Sequence, residues 1–350
     1  MRIAFTGGGT GGHVLPCIAV IDELEKRKIK DDFLYIGSKN GPEKKLIERL
    51  GVPFFGIQSG KMRRYFSWQN FLDFFRFFIG VYQAKKLLAR FKPKVVFSKG
   101  GYVSLPVTVA AKRLRIPVIL HESDVSPGLA NRIAMRSADK ICVSFDETKK
   151  YIKPKYLKRV FVTGNPVRES VLNGDRKRGF EFTGLNPKKP VLLVIGGSSG
   201  AVQLNILVAA ALKKLLNKYQ VVHLVGKGNR MDNLIGNGYV QYEYLDKKLK
   251  DVYAISNLVV SRGGANALFE LALLDKKVLI VPLSHSASRG DQFENAKIFV
   301  EKMGWGFLAG DIEPDEFVKM VEKAMKEHPQ KSGGIKNGTK RIADLILSYK

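Results

Sequence analysis

The sequence predicts an α/β protein made of two halves, each a parallel sheet covered by helices on both faces. Three observations carry that prediction. Short apolar runs alternate with amphipathic segments of helical length, the pattern of parallel strands joined by helical crossovers. The series strand, glycine loop, helix occurs at the start of the chain and again near residue 191. The 350 residues, 45% hydrophobic and 26% charged, suffice for two ordinary cores and exclude a disordered or fibrous chain.

Residues 2–6 read as a strand, GGGTGGH at 7–13 as a loop, and 14–28 as a helix. A strand follows at 33–37 and a short helix at 43–50. Strand 95–98 ends in Gly100-Gly101-Tyr102, then helix 105–114, strand 117–121, helix 130–137 and strands 141–144 and 160–163. Residues 164–168 break the pattern, and the polar stretch after them lacks any period. The expectation is therefore a domain over 1–163, a linker over 164–190 and a second domain over 191–335. That second domain has strands at 191–195, 221–225, 240–242, 258–260 and 278–281, the loop 196–200 and a helix at 203–216. A last helix at 338–349, within 336–350, is expected to pack back on the first domain.

Composition narrows the function classes. Two cysteines, Cys17 and Cys142, exclude a disulfide framework and a cysteine-rich zinc site and fit a reducing compartment. The first residues lack the regions of a signal peptide, and no run of about 18 uncharged apolar residues is present, so no membrane-spanning helix is predicted. The net charge of +27 points to nucleic acid, an anionic membrane or an anionic small substrate. Residues 1–163 hold 31 Lys and Arg against 13 acids, a net of +18, so two thirds of the excess lies there. Within them, 61–92 carries eight Lys or Arg, one acid and ten of the 35 aromatics.

The first loop satisfies G-x-G-x-x-G, with Asp31 and Asp32 about 20 residues on, as in a dinucleotide site. No Lys-Ser/Thr follows, which argues against a P-loop nucleotidase. The element common to these readings is an anion site, because glycines let backbone N–H groups approach phosphate at a helix N-terminus; the alternative is a tight turn that binds nothing. The loop 196–200 repeats the device. A third glycine turn, SRGGANALFE at 261–270, offers the N–H groups of 263–266 to a phosphate. Glu270, about two turns into the helix, suits a ribose diol, or else is a solvated helix residue.

GGGTGGHVLP at 7–16, GGYVSLP at 100–106, HESDVSPGLANR at 121–132, TGNPVR at 163–168, GGSSGAVQLN at 196–205, SRGGANALFE at 261–270 and SRGDQFENA at 288–296 occur in this order. Together they resemble the MurG family of bacterial glycosyltransferases over nearly the whole chain. The resemblance implies the GT-B fold, two Rossmann-like domains facing a cleft. It implies transfer of N-acetylglucosamine from UDP-GlcNAc to the C4 hydroxyl of MurNAc in lipid I. The product is lipid II for peptidoglycan synthesis, formed with inversion, without a catalytic metal ion or other cofactor.

The same resemblance assigns residues. Thr10, Gly11, Gly12 and His13 match the acceptor loop that holds the lipid pyrophosphate. His13 is the candidate general base, its ordinary pKa near 6.5 suiting a hydroxyl proton, against the reading of a histidine that caps the helix. Asp124 stands where some relatives carry Asn and competes for the base role. Tyr102 and Asn131 match acceptor-side positions, and Arg168 a cleft position that neutralises phosphate. On the donor side Ser198 is expected near the diphosphate, Tyr244 and Leu245 beside uracil, and Asn266 and Ala267 at the α-phosphate. Glu270 is expected on the ribose and Asp291 and Gln292 on the sugar hydroxyls. Arg262 or Arg168 is expected to meet the charge of leaving UDP.

Residues 70–88 are apolar on most helix faces, while Asp73 and Arg76 argue against spanning a membrane. Trp68, Phe71, Phe74, Phe75 and Phe78, flanked by Arg64, Lys85 and Lys86, are expected to meet an anionic cytoplasmic membrane surface, with the other face in the core. The expected location is peripheral, on the cytoplasmic face of the cell membrane. The expected partners are UDP-GlcNAc, lipid I and cell-wall synthesis proteins, and no nucleic acid. A nucleic-acid binder, an NAD-dependent oxidoreductase and a different lipid-directed GT-B transferase are the rival classes.

Overall fold

Seven short apolar runs make one parallel sheet, and six more make another. The structure, a computed structural model, describes every residue except 10, 28–31, 42, 61–67, 198–199, 283–289, 311 and 328–334, and does not describe the side chains of 68–72. The chain divides into one unit of Met1–Arg168 with Lys336–Lys350 and a second of Glu169–Ile335.

In the first unit β1 (Arg2–Thr6) is followed by α1 (Gly11–Lys26), β2 (Asp32–Ser38), α2 (Glu43–Glu48), β3 (Phe54–Ile57) and α3 (Trp68–Phe91). Then come β4 (Val95–Ser98), α4 (Ser104–Arg113), β5 (Val118–Glu122), α5 (Leu129–Ala134), β6 (Lys140–Val143) and β7 (Val160–Val162). The spatial order is β3-β2-β1-β4-β5-β6-β7. Alternate residues of each strand enter opposite cores, as a two-residue period requires. Ala4, Ile36, Val96 and Leu120 pack under α3 and α4 with Val81, Leu88, Val107 and Ala111. Ile3, Phe5, Tyr35 and Phe97 pack under α1 with Val14, Ile18 and Ile21.

The second unit opens with α6 (Glu169–Leu172) and α7 (Arg176–Thr183), followed by β8 (Val191–Ile195), α8 (Val202–Leu216), β9 (Gln220–Leu224) and β10 (Tyr239–Tyr242). It continues with α9 (Leu249–Ile255), β11 (Leu258–Ser261), α10 (Ala265–Leu273), β12 (Val278–Ile280), α11 (Asp291–Lys297), β13 (Phe307–Leu308) and α12 (Pro314–Lys326). The order is β10-β9-β8-β11-β12-β13. The stretch 164–190, expected as a linker, therefore carries two helices. It lacks an apolar stripe because polar contacts and close backbone packing hold it. Asp175 caps α7 by accepting from the Arg178 N–H at 2.7 Å, and the buried Asp251 of α9 accepts the Asp175 N–H at 2.9 Å. A Cβ on Gly179 would stand 2.3 Å from the Asp251 carbonyl, so glycine lets α7 lie against α9.

Both strand orders contain a switch point, between β1 and β4 and between β8 and β11. The chain leaves these neighbouring strands in opposite directions, which opens a crevice at their carboxyl ends. All three glycine segments singled out in the sequence, and the Gly100-Gly101 pair, follow one of these four strands.

The last helix, α13 (Thr339–Leu347), belongs to the first unit, where Ile342, Ala343 and Ile346 join the core under α1. The Asn337 side chain bonds Val167 in both directions, and Arg27 pairs with Asp344 at 2.6 Å. Ile346→Ala is expected to cost about 2–5 kcal/mol through lost burial and a cavity. Asp344→Ala, which opens a pair whose acid is 66% exposed, should cost under about 1 kcal/mol. Hydrogen exchange of the α1 amides measures both, and equal effects would contradict the packing role of α13.

Candidate active site

In the first unit the loops after β1 and β4 interlock. Gly9 has a left-handed backbone, φ +85°, and a Cβ there would come 2.6 Å from the Tyr102 ring. Gly101, φ +84°, lies under the His13 ring; its Cβ would be 3.0 Å from His13 Cδ2 and 3.0 Å from the Gly8 carbonyl oxygen. Each loop thus offers a bare backbone to the other's aromatic side chain. His13, in the first turn of α1, reaches across to the β4 loop, and Tyr102 reaches back to the β1 loop. Burial first, then Glu43 and Asp73, raise the Tyr102 hydroxyl above its ordinary value, so it is protonated at neutral pH.

Two buried carboxylates organise these loops, and the sequence reading assigned neither. Glu43 of α2 is fully buried, and its carboxylate accepts the Ser38 N–H at 2.8 Å and the Gly9 N–H at 3.3 Å. The Gly9 N–H is therefore directed to an internal acceptor, where the sequence suggested an open phosphate loop. Glu122, at the end of β5, accepts the Asp124 N–H at 3.0 Å and the Asn131 amide at 2.8 Å. Asp124 is half-buried on the turn beyond β5. Asn131, expected on the acceptor side, is buried, its Oδ1 at the place a Gly100 Cβ would need. Arg168 closes the first unit within the field of Asp22 on α1, so it is not on the unit that carries the other donor-side candidates.

In the second unit the loop after β8 includes Gly200, φ +76°, whose Cβ would meet the Val225 carbonyl at 2.3 Å. Arg262, just after β11, donates to the Gly200 carbonyl at 3.4 Å and so ties the two switch-point loops. A Cβ on Gly263 would stand 2.0 Å from the Gln292 carbonyl, which brings the starts of α10 and α11 together, and the Asn295 side chain donates to the Gly263 carbonyl at 3.0 Å. Gly264 is the N-cap of α10 and has no side chain to accept the first-turn N–H groups. Asn266 and Glu270 lie four apart on one face of α10, both half-buried, with Ala267 beside them. Asp291 and Gln292 open α11, the Asp291 carboxylate accepting the Gln292 N–H at 3.1 Å. The buried Gln292 Oε1 accepts no hydrogen bond from any described residue. Tyr244, exposed, and Leu245, buried, follow β10, with β9 between that strand and the switch point.

Thr10, Ser198 and Arg64 lie outside the described residues, as do the side chains of Trp68 and Phe71. On α3 the core takes Val81, Ala84 and Leu88, while Phe74, Phe75, Phe78, Ile79 and Tyr82 are exposed, Tyr82 by 69%. Lys85 and Lys86 are exposed next to them, and the Phe74 and Phe78 rings meet edge to face at 4.8 Å. Among the described residues no helix is long and apolar enough to cross a membrane.

Comparison with known proteins bears on both units. The glycosyltransferase family 28 N-terminal domain matches residues 3–143 and the family 28 C-terminal domain residues 191–346. The UDP-N-acetylglucosamine--N-acetylmuramyl-(pentapeptide) pyrophosphoryl-undecaprenol N-acetylglucosamine transferase of Lachnospira eligens is 48% identical over 94% of this chain and 92% of its own. The Legionella pneumophila (strain Paris) protein of the same name is 46% identical over 98% and 96%. Among solved structures, Acinetobacter baumannii MurG superposes with a TM-score of 0.72 at 23% identity, covering 99% of both chains. The UDP-GlcNAc 2-epimerase of Methanocaldococcus jannaschii reaches 0.69 at 14% identity over all of both chains. At these identities the structures speak to the fold alone.

Gly101→Ala must strain a left-handed backbone, at about 1–3 kcal/mol, and move either the His13 ring or the Gly8 carbonyl. A lower unfolding midpoint together with a displaced His13 ring resonance is expected. A His13 resonance and an unfolding midpoint that both stay unchanged would contradict the interlocking of the loops.

Proposed function

We propose that this chain, which belongs to glycosyltransferase family 28, transfers N-acetylglucosamine from UDP-GlcNAc to the C4 hydroxyl of the MurNAc unit of lipid I. The observation that carries this reading is the similarity to relatives named for that transfer, 48% and 46% identical over 94% and 98% of the chain. In this reading the reaction is a single displacement. The acceptor oxygen bonds to the anomeric carbon, the bond to the diphosphate breaks, and UDP leaves with the electron pair, so the anomeric centre inverts. His13, held on Gly101 at the β1–β4 switch point, takes the hydroxyl proton; Asp124 is the alternative base. Tyr102 and the start of α1 at Gly11 and Gly12, with Thr10, receive the acceptor's sugar and pyrophosphate.

The donor side of the reading rests on the second unit. The first-turn N–H groups of α10 at Asn266 and Ala267, with the loop of Ser198, suit a diphosphate. Arg262 supplies positive charge as UDP leaves, with Arg168 the alternative for that role. Glu270 accepts from the ribose diol, and Tyr244 and Leu245 border the base. The Asp291 carboxylate and the unengaged Gln292 Oε1 offer acceptors to the hydroxyls of the transferred sugar.

A lipid-linked acceptor requires the enzyme at a membrane. The exposed aromatic face of α3, with Lys85 and Lys86, is proposed to dock peripherally on an anionic cytoplasmic surface. This supports the apolar ridge as a binding face rather than a core element.

Incubation with UDP-GlcNAc and a lipid I analogue is expected to give a disaccharide-linked lipid and UDP. Epimerised UDP-GlcNAc formed without acceptor, or no product under lipid conditions, would overturn the reading. His13→Ala is expected to lower kcat by about 100-fold or more with little change in the KM for UDP-GlcNAc. Full activity in that variant would pass the base role to Asp124. For docking, co-sedimentation with anionic vesicles should fall at least about tenfold in Phe74→Ser/Phe78→Ser. Equal binding of the intact protein to neutral and anionic vesicles would remove the electrostatic part.

A further inference from the structure

Beneath the crevice of the first unit lies a charged cluster that the transfer chemistry above leaves without a role. Lys99 follows β4, and it is only 2% exposed. Its ammonium donates to Ser123 Oγ at 2.5 Å, and Ser123 Oγ donates to Asn165 Oδ1 at 2.7 Å. Glu122, the neighbour of Ser123 in sequence, is also buried. Its two oxygens accept from the Asp124 N–H, the Gly128 N–H at 3.3 Å and the Asn131 amide, and these bonds shape the turn between β5 and α5.

The other titratable groups facing the cluster are neutral. Cys17 of α1 has its thiol pushed up to about 12, chiefly by burial. Tyr35 of β2, which faces Cys17, is raised well above its ordinary value by burial. His121 of β5 is held well below its ordinary value by burial and then by Lys99. Lys99, Glu122 and Asp124 remain as the interacting charges. Burial lowers the Lys99 ammonium, and Glu122 and Asp124 pull it back up. Burial and then Asp124 push Glu122 up to about 7, against the opposing pull of Lys99. Burial works against both charges, and their mutual attraction across the cluster opposes it.

We propose that Lys99 is a positioning residue whose buried ammonium keeps the Glu122–Asp124 pair charged, so that ionised Glu122 holds the 124–131 turn in its acceptor-facing form. A protonated Glu122 gives up acceptor capacity to a hydroxyl and cannot satisfy the same three donors. The acidic side of the pH profile of transfer is then set by this cluster as well as by the general base. The inference rests on the transfer reading, and it makes the place of Asp124, the alternative base, depend on a residue that never touches substrate.

The test compares the full-length protein with Lys99→Met, Glu122→Gln and the double variant, from about pH 5 to about pH 9. In transfer from UDP-GlcNAc to a lipid I analogue, Lys99→Met should move the acidic limb up by about one unit or more. It should lower kcat while the KM for UDP-GlcNAc stays within about twofold. The double variant should titrate as Glu122→Gln does. An acidic limb in Lys99→Met within about 0.3 unit of wild type, or a double variant displaced as far as Lys99→Met, overturns the proposal.

A second measurement is independent of activity. Glu122 has a folded-state value raised from 4.5 to about 7. The folded state therefore binds the extra proton, and stability from this group is present below about pH 4.5 and lost as pH rises through 7. The unfolding midpoint of Glu122→Gln should gain on wild type between about pH 5 and pH 8, and Lys99→Met should lose more than wild type over the same range. A difference that does not change with pH overturns the cluster. An intact protein that transfers nothing fails the function reading while this arm still reports on Lys99.

Discussion

Two backbone segments occupy the space that side chains would otherwise need at the β1–β4 switch point. The loops after these strands diverge to opposite faces of the sheet, and they meet first at Gly8–Gly9 and Gly100–Gly101. Because neither presents a Cβ, the His13 ring settles on one backbone and the Tyr102 ring on the other. Without that approach the imidazole loses the surface that aims it, and Glu43 loses the Gly9 N–H. The second unit repeats the constraint with different partners: Gly200 against Val225 and Gly263 against Gln292. The same topological event therefore builds both sites, and glycine at these points is a steric requirement before it is a ligand-binding feature.

The two crevices differ in the groups that engage their loops. In the first unit Glu43 and Glu122 accept loop N–H groups from within, so part of the anion-binding capacity of the backbone is already engaged. In the second unit an uncharged histidine and an arginine lie by the loops. His223 is lowered to about 4 by burial and stays uncharged between Tyr239 and Asn205, and the Asn205 amide holds the Val225 carbonyl at 2.9 Å. Arg262 spans the two loops, and Gly264 leaves the first turn of α10 uncapped by a side chain.

Much of this was legible in the sequence, for physical reasons that differ by element. Central strands such as β5 and β8 open with apolar residues for both faces directly after a proline, which makes them plain. β3 at the sheet edge and the two-residue β13 bury too little to stand out, and α7 is held by Asp251 and two glycines, with no stripe to read. At the site, glycine loops and their flanking His13 and Tyr102 announce themselves because few residue types tolerate the geometry. Glu43 and Lys99 do not. A buried charge is recognised by its partners, and those partners, Gly9 and Ser123, lie 34 and 24 residues away.

The positive charge that dominates the composition separates into two populations with different physics. Lys85, Lys86 and Arg90 sit in water beside an exposed aromatic ridge, where each acts through a field screened over about 10 Å at ordinary salt. An apolar ridge of this kind alone would favour self-association. Flanking cations repel a second copy and attract an anionic surface, so the same charges oppose aggregation and favour docking. Lys99, buried, and Arg262, half-buried, belong to the other population: salt screens them less, and each acts through a direct hydrogen bond. Raising ionic strength should therefore separate the two, weakening any attachment through α3 while leaving the organisation of the crevices intact.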